Sequence, residues 1–149
     1  MSFEVLIPSI SALLVAAYTF WCGGAPERAG SLVLVGWIAS DQIYHLAFAG
    51  MVFNEFDPGH FVMDGLQFLG FVAIALRANR WWPIVASGAL TLSLVGHFVI
   101  LFGYSGLPMA YWILMQVPFF VLLAALSLGT VAHRRRVLRV GSYRDWRVT

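Results

Sequence analysis

The 149-residue sequence contains no lysine, a single cysteine and few charged residues of any kind. Charged side chains make up 11% of the chain, whereas soluble domains carry about 25%. Hydrophobic residues make up 60%, and the mean hydropathy is +0.82. A soluble protein of this size could not cover so apolar a sequence with polar surface. The composition therefore predicts an integral membrane protein whose surface is covered by lipid.

The scarcity of cysteine and the lack of familiar catalytic motifs exclude several kinds of site. Cys22 stands alone, which excludes an internal disulfide framework and a cysteine-based zinc cluster. We interpret it as a small buried hydrophobe near a helix end. The sequence has no phosphate-binding loop, serine elbow or dinucleotide fingerprint. The sequence therefore names no reaction and leaves open whether the protein is an enzyme.

Five apolar stretches dominate the chain, each close to the roughly 20 residues that a helix needs to cross a bilayer. They are residues 5–21, 30–53, 60–76, 83–102 and 109–131. Pro58 follows Asp57, a combination typical of a helix start with an acidic cap. The sequence predicts an all-α bundle of five transmembrane helices in one domain, residues 1–149. Its second to fifth helices would enclose a site, with the first helix packed outside them.

The arginines predict the orientation of the bundle. Arg28, the pair Arg77 and Arg80, and the cluster that begins at Arg134 are each separated by two helices, so they lie on one side of the membrane. Basic residues favour the cytoplasmic side, which places the N-terminus outside and the C-terminus in the cytoplasm. The start of the chain carries Glu4 and no arginine, so we expect the first helix to be retained rather than cleaved as a signal peptide.

The basic residues of the tail, residues 133–149, directly follow the last apolar stretch. This placement favours anchoring to anionic lipid headgroups over binding to nucleic acid. The predicted headgroup contacts are Arg134, Arg135, Arg136 and Arg139. The lipid bilayer is therefore the predicted partner, and nucleic acid is not expected. A homo-oligomer or a larger membrane complex stays open.

Helices two to five each carry polar residues at membrane depth, roughly 15 to 21 Å above the inner boundary when counted by the rise of a helix. A carboxylate that faces lipid there would cost about 2.5–3.5 kcal/mol. Asp41 and His45 share one helix face, as do Asp64 and Gln67. We therefore predict a common interior site. Its members are Asp41, His45, Asp64, Gln67, His97 and Gln116.

Three functional hypotheses follow from this set, in order of preference. The first is a polar pocket that binds or conducts a small molecule or a proton. The second is a divalent metal such as zinc, iron or manganese, held by side chains with suitable donors. The proposed ligands are Asp41, His45, Asp64 and His97. The third is a haem between His45 and His97. The alternative without a ligand is a buried hydrogen-bond network that only holds the helices together. His60 is expected to be solvated at the outer boundary and not to act as a ligand.

The last two helices contain sequence features that are also found in another group of proteins. The stretch from Arg77 through Trp81, Trp82 and Pro83, the helix that bears Gln116, and the basic run that begins at His133 resemble small hydrophobic membrane proteins of alphaproteobacteria. That group is uncharacterised. The resemblance implies a multi-pass protein of the bacterial inner membrane and implies no activity.

Overall fold

The computed structural model describes residues 3–48, 56–101 and 108–147, which form an all-α bundle of five helices. The helices are α1 (Phe3–Cys22), α2 (Ala25–Phe48), α3 (Pro58–Arg77), α4 (Trp82–Leu101) and α5 (Pro108–Val140). The predicted ends of the second and fourth helices, residues 53 and 102, lie outside the described residues. The described helices follow the five apolar stretches of the sequence.

The start of α2 differs from the sequence prediction. The helix begins at Ala25 instead of residue 30, and Pro26 occupies its first turn, where proline is well tolerated. The Glu27 carboxylate accepts a 3.0 Å hydrogen bond from the backbone N–H of Gly24. This contact satisfies one of the unpaired N–H groups at the helix start. The cap explains why α2 extends beyond the apolar stretch.

The end of α5 also differs, because the helix continues to Val140 through the arginine run. Arginine is a good helix former, and basic side chains near a helix C-terminus complement the helix dipole. Gly141 then adopts a φ of 75°, and its N–H donates to the Val137 carbonyl at 2.9 Å. A left-handed glycine with such a bond is a common way to end a helix. Much of the predicted tail is therefore helical.

The five helices pack as a ring. Each helix contacts the next along the chain, and α1 also contacts α5, with a smaller contact between α2 and α5. The first helix therefore closes the ring, whereas the sequence placed it outside. Trp82 is fully buried and fits against two glycines. A Cβ atom would come within 2.8 Å of its ring at Gly30 and within 2.2 Å at Gly129.

Within the described ranges, three helices are long and apolar enough to cross a membrane. They are Pro58–Arg77, Trp82–Val99 and Ile113–Val140. α1 contributes a shorter apolar helix, Ile7–Cys22, and α2 carries three charged residues along its length. Large apolar side chains cover the outside of the bundle, including Leu46 at 87% exposure and Leu76 at 72%. A surface of this kind is suited to contact with lipid.

Candidate functional site

α2 and α3 are joined in antiparallel fashion, and polar side chains meet across their interface about once per helical turn. The pairs are Trp37 with Asp64, Asp41 with His60, and Tyr44 with Asp57. Each step of three or four residues along α2 is matched by an equal step back along α3, so the paired residues lie on facing sides of the two helices. The polar residues therefore form a ladder along this interface.

The middle pair of this ladder, Asp41 and His60, lies beside His45, and we name these three side chains the outer triad. His60 Nε2 lies 3.3 Å from His45 Nε2 and 3.3 Å from Asp41 Oδ1. The third side, from His45 Nε2 to Asp41 Oδ1, measures 3.5 Å. The three side chains are 15–25% exposed, so the triad is largely buried but accessible. Three possible ligand atoms from two helices thus lie within 3.5 Å of one another.

Asp57 positions His60 within this triad. One carboxylate oxygen, Oδ1, accepts hydrogen bonds from the backbone N–H groups of Gly59 and His60 and confirms the predicted cap of α3. The other oxygen, Oδ2, lies 2.8 Å from His60 Nδ1. When Nδ1 donates its proton to this carboxylate, neutral Nε2 carries a lone pair that could bind an ion together with Asp41 and His45. Histidines that bind metals are commonly oriented by such a carboxylate.

The electrostatics of Asp57 follow from its contacts. Burial acts to raise the pKa of this carboxyl, but hydrogen bonds from Tyr44 and His60 outweigh that effect and lower the pKa from 3.8 to about 2. The Tyr44 hydroxyl donates to Oδ1 at 2.7 Å. Asp57 is therefore ionised at neutral pH and able to hold the His60 ring in one orientation.

The dimensions of the outer triad match one face of a metal tetrahedron. Zinc binds nitrogen and oxygen ligands at about 2.0–2.2 Å, which in tetrahedral geometry places neighbouring ligand atoms about 3.3–3.5 Å apart. The sides of the triad measure 3.3, 3.3 and 3.5 Å. Among the described residues, this trio forms a group of histidine and acidic side chains close enough to hold an ion. Its geometry suits a metal with a fourth position left open.

A second polar group lies about one helical turn, roughly 6 Å, further along α3. Asp64 accepts a 2.8 Å hydrogen bond from Trp37 Nε1 on one oxygen and faces His97 Nε2 at 3.0 Å with the other. We name Asp64 and His97 the inner pair. Both residues are buried, at 8% and 5% exposure. Trp37, from α2, thereby joins a pair formed between α3 and α4.

The two predicted glutamines lie near these groups without joining them. Gln67 is 3% exposed, and its Nε2 has no hydrogen-bond partner in the described part of the chain. A buried amide without a partner is costly and points to an additional polar group at this position. Gln116 is half-buried on α5 and contributes to neither group among the described contacts.

Four of the six predicted site residues thus fall into two groups instead of one, and the two glutamines belong to neither. Asp41 and His45 belong to the outer triad, whereas Asp64 and His97 form the inner pair. The metal ligands predicted from the sequence are divided between these groups, and their role stays a prediction. A haem held by His45 and His97 requires both imidazoles to face the same iron. The Nε2 atom of His97 instead forms a hydrogen bond with Asp64. The geometry favours the metal hypothesis over haem.

At the opposite end of the bundle, a buried charge network joins α2, α4 and α5. Glu27 is fully buried. Its Oε1 accepts hydrogen bonds from Arg80 Nε at 3.1 Å and from Trp82 Nε1 at 2.9 Å. Arg80 also reaches Asp145 Oδ1 at 2.5 Å and His133 Nδ1 at 3.0 Å. The buried carboxylate is therefore paired and hydrogen-bonded, as such burial requires.

The C-terminal segment, residues 141–147, folds back onto this network. Asp145 Oδ2 accepts from the backbone N–H of Ala25 at 2.9 Å, and the Asp145 carbonyl accepts from Asn79 at 3.0 Å. The N–H of Arg147 donates to the Arg77 carbonyl at 2.7 Å. These bonds attach the segment to the start of α2, the end of α3 and the connection between α3 and α4. The arginines predicted to meet headgroups, Arg134, Arg135, Arg136 and Arg139, are exposed on the last turns of α5.

Sequence reasoning missed one member of the outer triad, the tryptophan beside the inner pair and two acidic members of the charge network. His60 is 16% exposed in its side chain, whereas the sequence suggested a solvated residue. Its signal was the spacing of three residues from the capping Asp57. Glu27 stands three residues after Gly24, which is a capping position. Trp37 and Asp145 carry no comparable signal, because their partners are distant in the sequence.

Comparison of the chain with protein-family models, curated proteins and solved structures finds no match in any of the three.

Proposed function

We propose that this protein is a metal-binding protein of the bacterial inner membrane, with five membrane-spanning helices and the N-terminus outside. The bound ion would be a divalent transition metal of the zinc class. Its ligands would be Asp41, His45 and His60, near the outer ends of α2 and α3. The bacterial membrane is supported by the resemblance of the last two helices, and the orientation by the distribution of arginine.

The observation that carries this proposal is the spacing of the three ligand atoms. The 3.3, 3.3 and 3.5 Å sides of the outer triad agree with ligand separations around a tetrahedral zinc, about 3.3–3.5 Å. The same distances also fit hydrogen bonds between the imidazoles and the carboxylate, and zinc titration separates the two interpretations. Asp57 adds support, because it holds His60 through Nδ1 and directs Nε2 towards the other ligands.

The proposed donor set also suggests what the metal would do. Two imidazoles and one carboxylate leave one position for water or a substrate, as in catalytic zinc sites with three protein ligands. A zinc ion in such a site supplies Lewis acidity and an activated water. The partial exposure of the triad provides access for the ion. We infer that the function is reversible metal binding. A zinc ion bound at this site would also support hydrolytic chemistry.

The test is zinc titration of the purified, chelator-treated protein in detergent. We expect one zinc ion per chain, and a cobalt-substituted form with the visible absorption of a tetrahedral site. His60→Gln should abolish stoichiometric binding. His133→Gln is the matched control, since His133 lies in the charge network at the other end of the bundle, and it should keep the full stoichiometry. A folded wild-type chain that binds no zinc, or His60→Gln with unchanged affinity, would rule the proposal out.

A second candidate function is binding of a small polar molecule or transfer of a proton at the inner pair. The observation that favours it is the buried Gln67 Nε2 without a partner among the described residues. A water or a polar ligand beside Asp64 and His97 would satisfy this amide. In that case the polar ligand, the inner pair and the outer triad would lie next to one another along α3.

Proton flux separates the two candidates. The protein is reconstituted into vesicles, and internal pH is followed with a dye after a pH step. Flux that falls in Asp64→Asn and persists in His60→Gln would support the inner pair, because the amide keeps the shape of Asp64 and removes its charge. Absence of flux above that of empty vesicles would reject proton transfer and leave the metal site as the function.

A further inference from the structure

A pocket of about 360 Å³ opens at the end of the bundle that carries the charge network. Its walls are the connection between α3 and α4, the start of α4, the last turns of α5 and the C-terminal segment. Three arginines, Arg80, Arg136 and Arg147, line it together with His133 and Tyr143. None of its lining residues is acidic. Arginine side chains therefore reach the pocket from three parts of the chain, which are the α3–α4 connection, α5 and the C-terminal segment.

The charges of these arginines are not equally compensated. Arg80 is paired with Glu27 and Asp145. Arg136 and Arg147 form no ion pair within the described part of the chain, and both are exposed. The Tyr143 ring lies between two guanidinium groups, with Arg80 at 4.4 Å and Arg136 at 4.2 Å from its centre. This stacking orders Arg136 at the pocket wall. Two positive charges remain available to a ligand.

The position of the pocket favours a lipid over a soluble compound as the source of an anionic ligand. Its lining also includes Trp81 and Ile84, which are 50% and 57% exposed. An exposed tryptophan at a helix end is typical of the membrane interface. A ligand in this pocket would meet arginines at headgroup level and apolar side chains on the side towards the hydrocarbon. A soluble phosphate compound would use only the first of these features.

We propose that this pocket binds the headgroup of an anionic phospholipid, with the phosphate between Arg136 and Arg147 and the acyl chains along Trp81 and Ile84. Guanidinium groups match phosphate oxygens in geometry as well as charge. Basic pockets on the cytoplasmic side of helix bundles are suited to such lipids. The site requires the C-terminal segment in its folded-back position, since that segment supplies Arg147. It is independent of the metal site proposed above.

The test is native mass spectrometry of the full chain in detergent, titrated with phosphatidylglycerol or with phosphatidylcholine. We expect a defined phosphatidylglycerol adduct and weaker phosphatidylcholine binding. The double variant Arg136→Gln, Arg147→Gln should bind phosphatidylglycerol about 30-fold more weakly, since each arginine contributes to the attraction. The control is Arg77→Gln, Arg144→Gln, which removes the same charge from exposed positions outside the pocket and outside the predicted headgroup contacts. It should change the affinity by less than about threefold.

Two outcomes of this experiment would contradict the proposal. Equal losses in the two double variants would mean that the net charge at this end of the bundle, not the pocket, attracts the lipid. Competition by glycerol 1-phosphate at the affinity of the whole lipid would identify a soluble anion as the ligand. A thermal unfolding midpoint in lipid-free detergent checks that the double variant is folded. We expect it to be unchanged, because both side chains are exposed.

Discussion

At the scale of single residues, Asp57 connects the fold to the site. Its carboxylate caps α3 through the backbone N–H groups of Gly59 and His60, accepts from the Tyr44 hydroxyl and orients the His60 ring. An ordinary helix cap uses only the first of these contacts. The additional bonds explain why its pKa falls to about 2. Asp57 therefore couples the stability of the α3 start to the geometry of the outer triad.

This coupling predicts a specific dependence of stability on pH. The folded pKa of Asp57, about 2, lies below its ordinary value of 3.8. A lowered folded pKa gives stability that is complete above the ordinary value and is lost as pH falls through the folded value. We expect the free energy of unfolding of the metal-free protein to lose up to about 2 kcal/mol through Asp57 between about pH 5 and about pH 2.

The measurement compares wild type with Asp57→Asn in denaturant titrations at several pH values. Asparagine also caps helices, so the variant keeps the cap and removes the titration. Its unfolding free energy should be lower near neutral pH and should fall less steeply below about pH 4. Equal slopes for the two proteins would show that Asp57 does not carry the effect. Other carboxylates titrate in both proteins and cancel in the difference.

At the scale of secondary-structure elements, the approach of α2, α4 and α5 depends on small residues around Trp82. Gly30 and Gly129 leave room for the indole, and Glu27 fixes its orientation by accepting from Nε1 at 2.9 Å. Trp82 is completely buried. The ring therefore has little freedom to move aside, and the glycines determine how closely these helices pack.

Substitution of these glycines tests the close packing. In Gly129→Ala, the new methyl group would lie 2.2 Å from Trp82 Cδ1 and 2.8 Å from its Cβ. Because these atoms are close to the backbone of α4, relief requires a shift of the helix. We expect a destabilisation of about 1–3 kcal/mol, as for other overpacked cores, measured as a lower free energy of unfolding in detergent.

The matched control for this change is Gly36→Ala, which lies in the middle of α2 with nothing within 4 Å of the new atom. Alanine favours helix over glycine by about 1 kcal/mol. The control should therefore be neutral or stabilising. If Gly129→Ala were equally neutral, α5 would not approach Trp82 as closely as the structure indicates.

At the scale of the whole molecule, the outer triad and the charge network occupy opposite ends of the bundle. The outer triad lies near the end of α2 and the start of α3, whereas the charge network joins the starts of α2 and α4 to the end of α5. This separation agrees with the arginine distribution and gives each end a different chemistry. The proposed metal site would face the outside, and the proposed lipid site the cytoplasm.

Reporter fusions test this orientation. A green fluorescent protein attached after Thr149 should fluoresce, and alkaline phosphatase at the same position should be inactive, because the C-terminus is expected in the cytoplasm. The same reporters fused before α1 should give the opposite pattern for an external N-terminus. An active phosphatase after Thr149 would reverse the orientation and require an even number of spans if the N-terminus is also external.

The sequence by itself determined the all-α architecture and the approximate positions of the five helices. These features are local, since a stretch of about 20 apolar residues forms a helix whatever its neighbours. The sequence also indicated that the carboxylates and imidazoles at membrane depth lie inside the bundle, because burial in lipid is costly wherever the partner is found. Helix ends were less well determined, as the capped start of α2 and the arginine-rich end of α5 illustrate.

The tertiary structure alone decided which polar residues meet. Arg80 and Asp145 are 65 residues apart in sequence, and Asp64 and His97 are 33 apart. Such contacts depend on the rotation and vertical register of each helix, and a rotation of one residue position turns a side chain by about 100°. The same register brought His60 to His45 and Asp41 and left Gln116 apart from them. Sequence periodicity specifies a helix face, but only packing against the other helices selects what that face contacts.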